Sequence, residues 1–381
     1  MSIESHRRSP GSLRLAPVRC AHGFTLTELL VGMAIGLIGI IAMFQVLTMW
    51  DKMQRSTAAG SDAQIAGTVG YFRLERDVKQ AGMGFAKSTV LGCDVSALVN
   101  ATATTTARAA FTFALVPVQI IREAGKPDEL QVLYGNSAFF VAEQTFKAST
   151  ASSKKTSARH GFKVGDAVVV ADDAAHCALV EISGDSNADL LTLDHTAGSL
   201  RFNAAGGTGT TFTNGVLFNL GPDPQLNRWS VANGALQVTY GLRGNTAAVT
   251  VADGVIDLRA KYGIDLNGDN TVDASEWEAP DPDPITPGDW TRLRAVRVAI
   301  LARSQQYEPT RSEAGAPVYV SPTAPVLPWR GADDAAIPFT MKNIDGSDDD
   351  NPQNDNDWRN YRYRVYGGEI FLRNMIWGVS P

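Results

Sequence analysis

The sequence predicts an α+β chain, with a long N-terminal helix packed on a large, mostly antiparallel β domain. Two observations carry this reading. From Leu29 to Trp50 there is no Asp, Glu, Lys or Arg, and no proline occurs between Phe24 and Val116, so one helix can run well past the apolar stretch. Beyond residue 85 the pattern changes to short β-branched runs separated by Gly, Asn and Asp, which read as strands and tight turns. A hydrophobic content of 44% in 381 residues is enough to bury a core and excludes a disordered chain.

The apolar stretch is long enough to cross a bilayer, since a helix rises about 1.5 Å per residue and the hydrocarbon core is roughly 30 Å thick. Its only ionised side chain is Glu28, near the start. An unpaired carboxylate in hydrocarbon costs on the order of a few kcal/mol, so Glu28 requires a partner. Cleavage between Gly23 and Phe24 would create one: a new α-amino group at the right depth, most usefully on a neighbouring subunit. An ordinary secretory signal explains the segment less well, because the apolar run is long and begins after the junction, with no small-residue cleavage site beyond it. A plain anchor explains the length but not Gly23-Phe24 or Glu28. Arg7, Arg8, Arg14 and Arg19, against Glu4 alone, hold the N-terminus in the cytoplasm by the positive-inside rule and leave the rest outside.

The run Gly23-Phe24-Thr25-Leu26-Thr27-Glu28-Leu29-Leu30, continued by that apolar segment, resembles the class III signal of type IV prepilins. The resemblance implies that a prepilin peptidase cuts after Gly23, that Phe24 becomes the N-methylated terminus, and that Glu28 pairs with a neighbour's amine during assembly. His22 departs from the pattern, standing where Lys or Arg often precedes the glycine. The chain then divides into a leader at 1–23, a transmembrane and assembly helix at 24–50, an amphipathic continuation at 51–84, and an extracytoplasmic β-rich domain at 85–381.

In the continuation, two adjoining helical stripes, Ile65, Val69, Phe72 and Tyr71, Leu74, Val78, are expected to pack on the folded domain. Arg73/Asp77 and Glu75/Lys79 stand at i,i+4 spacing, and Gly82 and Gly84 suit the helix end. Gly60, Gly67 and Gly70 weaken helicity and predict a bend or a melted turn. Within the anchor, Gly32 and Gly36 form a small-xxx-small pair that lets membrane helices approach closely, or simply reflect the glycine content of such helices.

Strands are expected at Phe111–Ile121, Gln131–Tyr134, Ala167–Ala171, Leu190–Asp194, Val216–Leu220, Leu236–Tyr240, Ala247–Val251, Val255–Leu258 and Val296–Leu301. Segments 144–160 and 202–215 read as surface loops or edge hairpins, and 279–289 as a rigid acidic loop. Loss of the leader removes Cys20 and leaves Cys93 and Cys177 as a single pair. In an oxidising compartment a disulfide is their expected fate, closing a loop of roughly 80 residues and stabilising the fold by about 2–4 kcal/mol. The alternative, a thiol nucleophile at Cys177 aided by His176, is disfavoured because adjacent residues rarely form a dyad.

The region Tyr71 to Cys93, with Arg73, Leu74, Arg76, Asp77, Gln80-Ala81-Gly82 and Gly92-Cys93, resembles the PilW family of minor pilins. Pro127-Asp128-Glu129-Leu130, Val164-Gly165-Asp166, Cys177, Asp257 to Asp265, Arg294 to Ser304 and Phe371-Leu372-Arg373-Asn374 follow in the same order. The resemblance implies a pilin-like fold and a minor subunit that co-assembles with other minor pilins and the major pilin at the pilus tip. It also implies support for pilus assembly, twitching motility and adhesion, and a tip adhesin as a further partner. The expected localisation is the inner membrane, with a periplasmic domain before assembly and an extracellular position afterwards. A J-type pseudopilin of type II secretion and a membrane-anchored adhesin are the alternatives.

One stretch could hold an ion. Asp265, Asn267, Asp269, Asp273 and Glu276 put oxygen side chains at positions 1, 3, 5, 9 and 12 of a twelve-residue loop, and Thr271 offers its carbonyl at position 7. This spacing lets one turn of backbone surround Ca²⁺. Asn270 stands where glycine is expected, but Asn tolerates the left-handed conformation better than most residues. Asp345 to Asp357 is acidic without that spacing and reads as a solvated loop. The alternation Trp358-Arg359-Asn360-Tyr361-Arg362-Tyr363-Arg364-Val365-Tyr366 reads as a terminal strand with one basic face. Stacking on single-stranded nucleic acid is the rival reading.

The formal net charge is −6, and without the leader's four arginines and one glutamate it is −9, which argues against a grip on nucleic acid. No phosphate-binding loop, nucleophile elbow or dinucleotide fingerprint occurs, and the histidines lack metal-ligand spacing, so the chain is read as a non-enzyme.

Overall fold

The computed structural model describes residues 23–85, 90–102, 105–138, 143–157, 161–174, 176–185, 191–209, 211–277, 287–308, 310–311, 317–318, 326–330, 336–345 and 357–376. Residues 1–22 of the proposed leader, the proline-rich part of 279–289 and most of the acidic run 345–357 fall outside them.

Helix α1 runs unbroken from Leu26 to Gln80. By internal contacts the chain separates into residues 1–54 and 55–381. Every described residue of the first unit is exposed, including Phe24, Leu37, Phe44 and Trp50, and the helix there is long and apolar enough to cross a membrane.

Within the second unit, α1 buries Ala59, Ala63, Gly67, Gly70, Leu74, Asp77 and Val78. Steps of three and four keep these on one face, and the small residues let the backbone approach the sheet. The expected stripe Tyr71, Leu74, Val78 packs as read, with Leu74 and Val78 buried. The stripe Ile65, Val69, Phe72 does not; these residues are 58%, 42% and 61% exposed. Close approach through glycine and alanine turns the bulkier stripe outward. The expected melted turn does not occur: α1 runs as helix through Gly60, Gly67 and Gly70, and at Gly67 the Tyr366 ring fills the space a Cβ would take. Glu75 pairs with Lys79 at 2.8 Å, whereas Asp77 turns inward, away from Arg73. The helix closes at Gly82 (φ +80°), whose N–H donates to Leu133 O, while Asn374 Nδ2 donates to the carbonyls of Gln80 and Ala81 at 3.0 Å each.

The strands are β1 (Asp94–Val99), β2 (Arg108–Ala114), β3 (Val118–Ile121), β4 (Glu129–Tyr134), β5 (Gln144–Ser149), β6 (Ser153–Thr156), β7 (Ala167–Ala171), β8 (Cys177–Glu181), β9 (Gly184–Asp185), β10 (Thr192–Asp194), β11 (Val216–Gly221), β12 (Gln225–Ala232), β13 (Ala235–Tyr240), β14 (Val249–Asp253), β15 (Val255–Ile264), β16 (Leu293–Arg303), β17 (Thr310–Arg311), β18 (Pro317–Val318), β19 (Val326–Arg330), β20 (Ala336–Thr340) and β21 (Tyr363–Phe371), followed by the short helix α2 (Arg373–Ile376). They form a nine-stranded sheet in the order β2-β1-β8-β7-β11-β5-β6-β10-β9, a five-stranded sheet β14-β13-β12-β4-β3, a three-stranded sheet β15-β16-β21, and two separate hairpins. All described pairings are antiparallel except β1 with β8. The expected strand Phe111–Ile121 is two strands, parted before Pro117 by the missing N–H of that residue.

One core joins the end of α1 to all three sheets, through Leu74, Val78 and Phe85 from the first segment and Val169, Trp229, Leu258 and Val298 from the strands. A second core covers the opposite face of the large sheet. β7 therefore sends Ala167, Val169 and Ala171 to the first core and Val168 and Val170 to the second. A strand covered on both faces reads as a continuous apolar run, which is why Ala-Val-Val-Val-Ala was legible.

Candidate functional site: the N-terminal signal and its supporting domain

At the N-terminal signal, Thr25 and Glu28 hold each other. Glu28 Oε2 accepts from Thr25 N and Thr25 Oγ1 at 2.9 Å each, and Glu28 N donates to Thr25 Oγ1 at 3.3 Å. This reciprocal pair closes the first turn of α1 as a capping box. Thr25 is a residue the sequence reading passed over, although Thr-x-x-Glu before an apolar run is the signal that finds it. Gly23 and Phe24 lie just ahead of the helix, both exposed.

Cys93 and Cys177 form a disulfide with Cα atoms 6.2 Å apart, at the start of the parallel pair β1 and β8. Cys177 is therefore no free thiol, and the nucleophile alternative falls. Its neighbour His176 instead places Nδ1 3.2 Å from the carboxylate of Asp172.

The Asp265–Glu276 loop folds around its own amides. Asp265 is 1% exposed and accepts from the N–H groups of Gly268 and Asn270 at 2.6 and 3.0 Å, and Arg294 Nη2 lies 3.3 Å from it. Glu276 accepts from the N–H groups of Leu266, Asn267 and Asp273. Asp269 takes the hydroxyl and N–H of Thr271 at 2.7 Å each, which hold its carboxyl below the usual range. Asn267 Nδ2 reaches Asp269 at 3.2 Å and Asp273 at 3.5 Å. Asn270 adopts φ +66°, the left-handed conformation expected at that position. Among the described residues no three His, Cys, Asp or Glu side chains converge as a metal centre.

The Arg-aromatic alternation resolves as strand β21 and its approach. Arg359 is bonded to the Asp357 carboxylate, and Arg362 to Glu308 and to Ser56 Oγ of α1 at 2.8 Å. Tyr366 packs on Gly67.

Sequence reading also missed a buried polar centre. Asp77 accepts from Tyr134 Oη at 3.2 Å, Asn227 Nδ2 at 2.7 Å and Trp229 Nε1 at 3.0 Å. Burial, and then the Asp77 charge, push the Tyr134 phenol up. Three donors compensate the buried carboxylate and tie α1 to β4 and β12.

Compared with known families, residues 18–44 match the prokaryotic N-terminal methylation motif and residues 219–374 match the type IV pilus-assembly protein W family. No curated protein and no solved structure matches the chain. The first match contains Gly23 through Glu28. The second runs from β11 into α2 and contains Trp229, Arg362, Tyr366 and Asn374, the side chains that grip the later half of α1. A prepilin-type signal leading into an apolar helix, and a pilus-assembly region folded against that helix's continuation, support a PilW-like type IV minor pilin.

Proposed function

We propose that this chain is cut by prepilin peptidase after Gly23, methylated on Phe24, and held in the inner membrane by residues 24–50 with its β domain on the periplasmic side. It then co-assembles with other minor pilins and the major pilin at the pilus tip, where it serves pilus assembly, twitching motility and adhesion as a structural subunit rather than an enzyme. The observation that carries this reading is the methylation motif on a helix whose apolar surface is exposed throughout its first unit. In the mechanism, Glu28 exchanges its hydrogen bonds to Thr25 for a neighbour's terminal amine in the low-dielectric bundle. Glu28→Leu is expected to leave cleavage intact, by mass spectrometry of the mature N-terminus, and to reduce the subunit recovered in sheared pili. Unchanged incorporation and motility would overturn the mechanism.

We also propose a Ca²⁺ site at Asp265, Asn267, Asp269, Thr271, Asp273 and Glu276. The left-handed Asn270 supports it, and occupancy requires Arg294 to release Asp265. Terbium luminescence of the full chain in detergent is expected to rise on binding, to rise further in Arg294→Gln, and to vanish in Asp269→Ala. A silent wild type at millimolar calcium, and a silent Arg294→Gln, reject the site.

A further inference from the structure

Beside the later half of α1, strands β12, β13 and β14 floor an open groove of about 550 Å³. Trp229, Val238, Tyr240 and Val251 line its floor, and Val69 and Arg73 of α1 its wall. The register sets Trp229 opposite Val238 and Asn227 opposite Tyr240, so these four side chains share one face of the sheet. The exposed stripe Ile65, Val69, Phe72 extends the apolar surface along the helix. β14 ends its sheet, so its outer backbone groups face no partner strand among the described residues.

Two features mark the groove as built to be filled. Arg73, Arg76 and Arg243 are exposed at its rim with no carboxylate partner among the described residues, and Arg243 rests over the Tyr240 ring at 4.4 Å. The nearby acids are already engaged: Asp223 lies 3.6 Å from Arg201, and Asp77 is held by its three donors. Deeper in, Asn227 is 3% exposed and gives Nδ2 to Asp77 and Tyr134, while its Oδ1 has no donor among the described residues. Because Asp77 only accepts, the amide orientation is fixed and the unmet atom is an acceptor.

We propose that this groove receives an extended acidic segment of another polypeptide. The segment adds as a strand to β14, seats apolar side chains over Tyr240 and Val251, and sets its carboxylates against Arg73, Arg76 and Arg243. Charge selects the acid, since these guanidinium groups have no carboxylate partner among the described residues. Geometry selects the strand, because an open sheet edge offers backbone partners that a helix cannot use, and a cavity of this size admits side chains rather than a helix of about 10 Å diameter.

The test uses the purified full-length chain in detergent and two fluorescein-labelled peptides of about ten residues, one alternating Glu and Val and the other Lys and Val. By fluorescence anisotropy at low salt, the Glu-Val peptide is expected to bind about tenfold or more tightly than the Lys-Val peptide. The variant Arg73→Glu/Arg243→Glu, both positions exposed and so compatible with folding, should weaken it by about tenfold or more, while Arg364→Glu, away from the groove, should not. Hydrogen exchange should show new protection at Val249 to Asp253. Equal binding of both peptides, an unaffected double variant, or protection confined to other strands would overturn the proposal. The assay needs no assembled pilus, so its failure leaves the Glu28 mechanism standing, and failure of that mechanism leaves this one standing.

Discussion

Lys154 is 1% exposed on β6, with Nζ 2.6 Å from Thr150 O and 3.0 Å from His195 Nε2. Burial pushes its amine down to about 8, and burial together with the Lys154 charge pushes His195 down to about 3, so a neutral imidazole faces the amine at neutral pH. Between pH 8 and the ordinary lysine range the unfolded chain holds a proton that the folded chain has released, so stability rises with pH across that window. Denaturation of the full chain at a series of pH values should show that rise, and Lys154→Met should flatten it; an unchanged slope in the variant would assign the rise elsewhere. This lysine's burial is not legible locally, because it sits in the polar run Ser152-Ser153-Lys154-Lys155-Thr156. A hairpin alternates its faces regardless of composition, and Phe212 lies 5.5 Å from Nζ on the covered side.

Helix α1 shows the opposite case, a visible residue with a misread purpose. Gly67 and Gly60 look alike in sequence, yet a Cβ at Gly67 would enter the Tyr366 ring, whereas one at Gly60 meets nothing within 4 Å. Gly60→Ala should therefore stabilise by up to about 1 kcal/mol through helix propensity alone. Gly67→Ala should destabilise by about 1–3 kcal/mol despite the same propensity gain, because overpacking outweighs it. Thermal and urea denaturation would check both, and stabilisation by Gly67→Ala would rule out the close approach. Among the strands, β7 was legible because both its faces are apolar. β12 was not, because the buried Asn227 breaks its pattern, and that residue uses its polarity to donate to Asp77 and Tyr134. β16 begins at Leu293, ahead of the expected Val296–Leu301, with Arg294 buried against Asp265, and inside the expected run Arg297 is buried against Glu369 and the Trp277 ring.

Over the whole chain, the features written locally were the ones sequence could read: the signal from Gly23 to Glu28, the apolar helix, the cysteine pair and the shift to strand periodicity. What it could not read were pairings between distant residues, since which faces meet depends on shapes that no local window contains. The later half of α1 is held by many such pairings. Arg362 reaches Ser56 across 306 positions, Tyr366 fills the space over Gly67, and Asn374 caps the carbonyls of Gln80 and Ala81 across 294 and 293 positions.

These long closures set an order of events. A helix made first is completed by side chains made more than 290 residues later, so α1 emerges from the ribosome well before its holding contacts exist. Until β21 and Asn374 have been synthesised, the helix end keeps open carbonyls and the Gly67 face stays bare. A chain cut short ahead of residue 362 would carry an intact address and anchor but an unfinished support, and would differ from the complete subunit in protease sensitivity rather than in targeting. The fold thus contains its own check on completeness, read out where the first long helix meets the last strand.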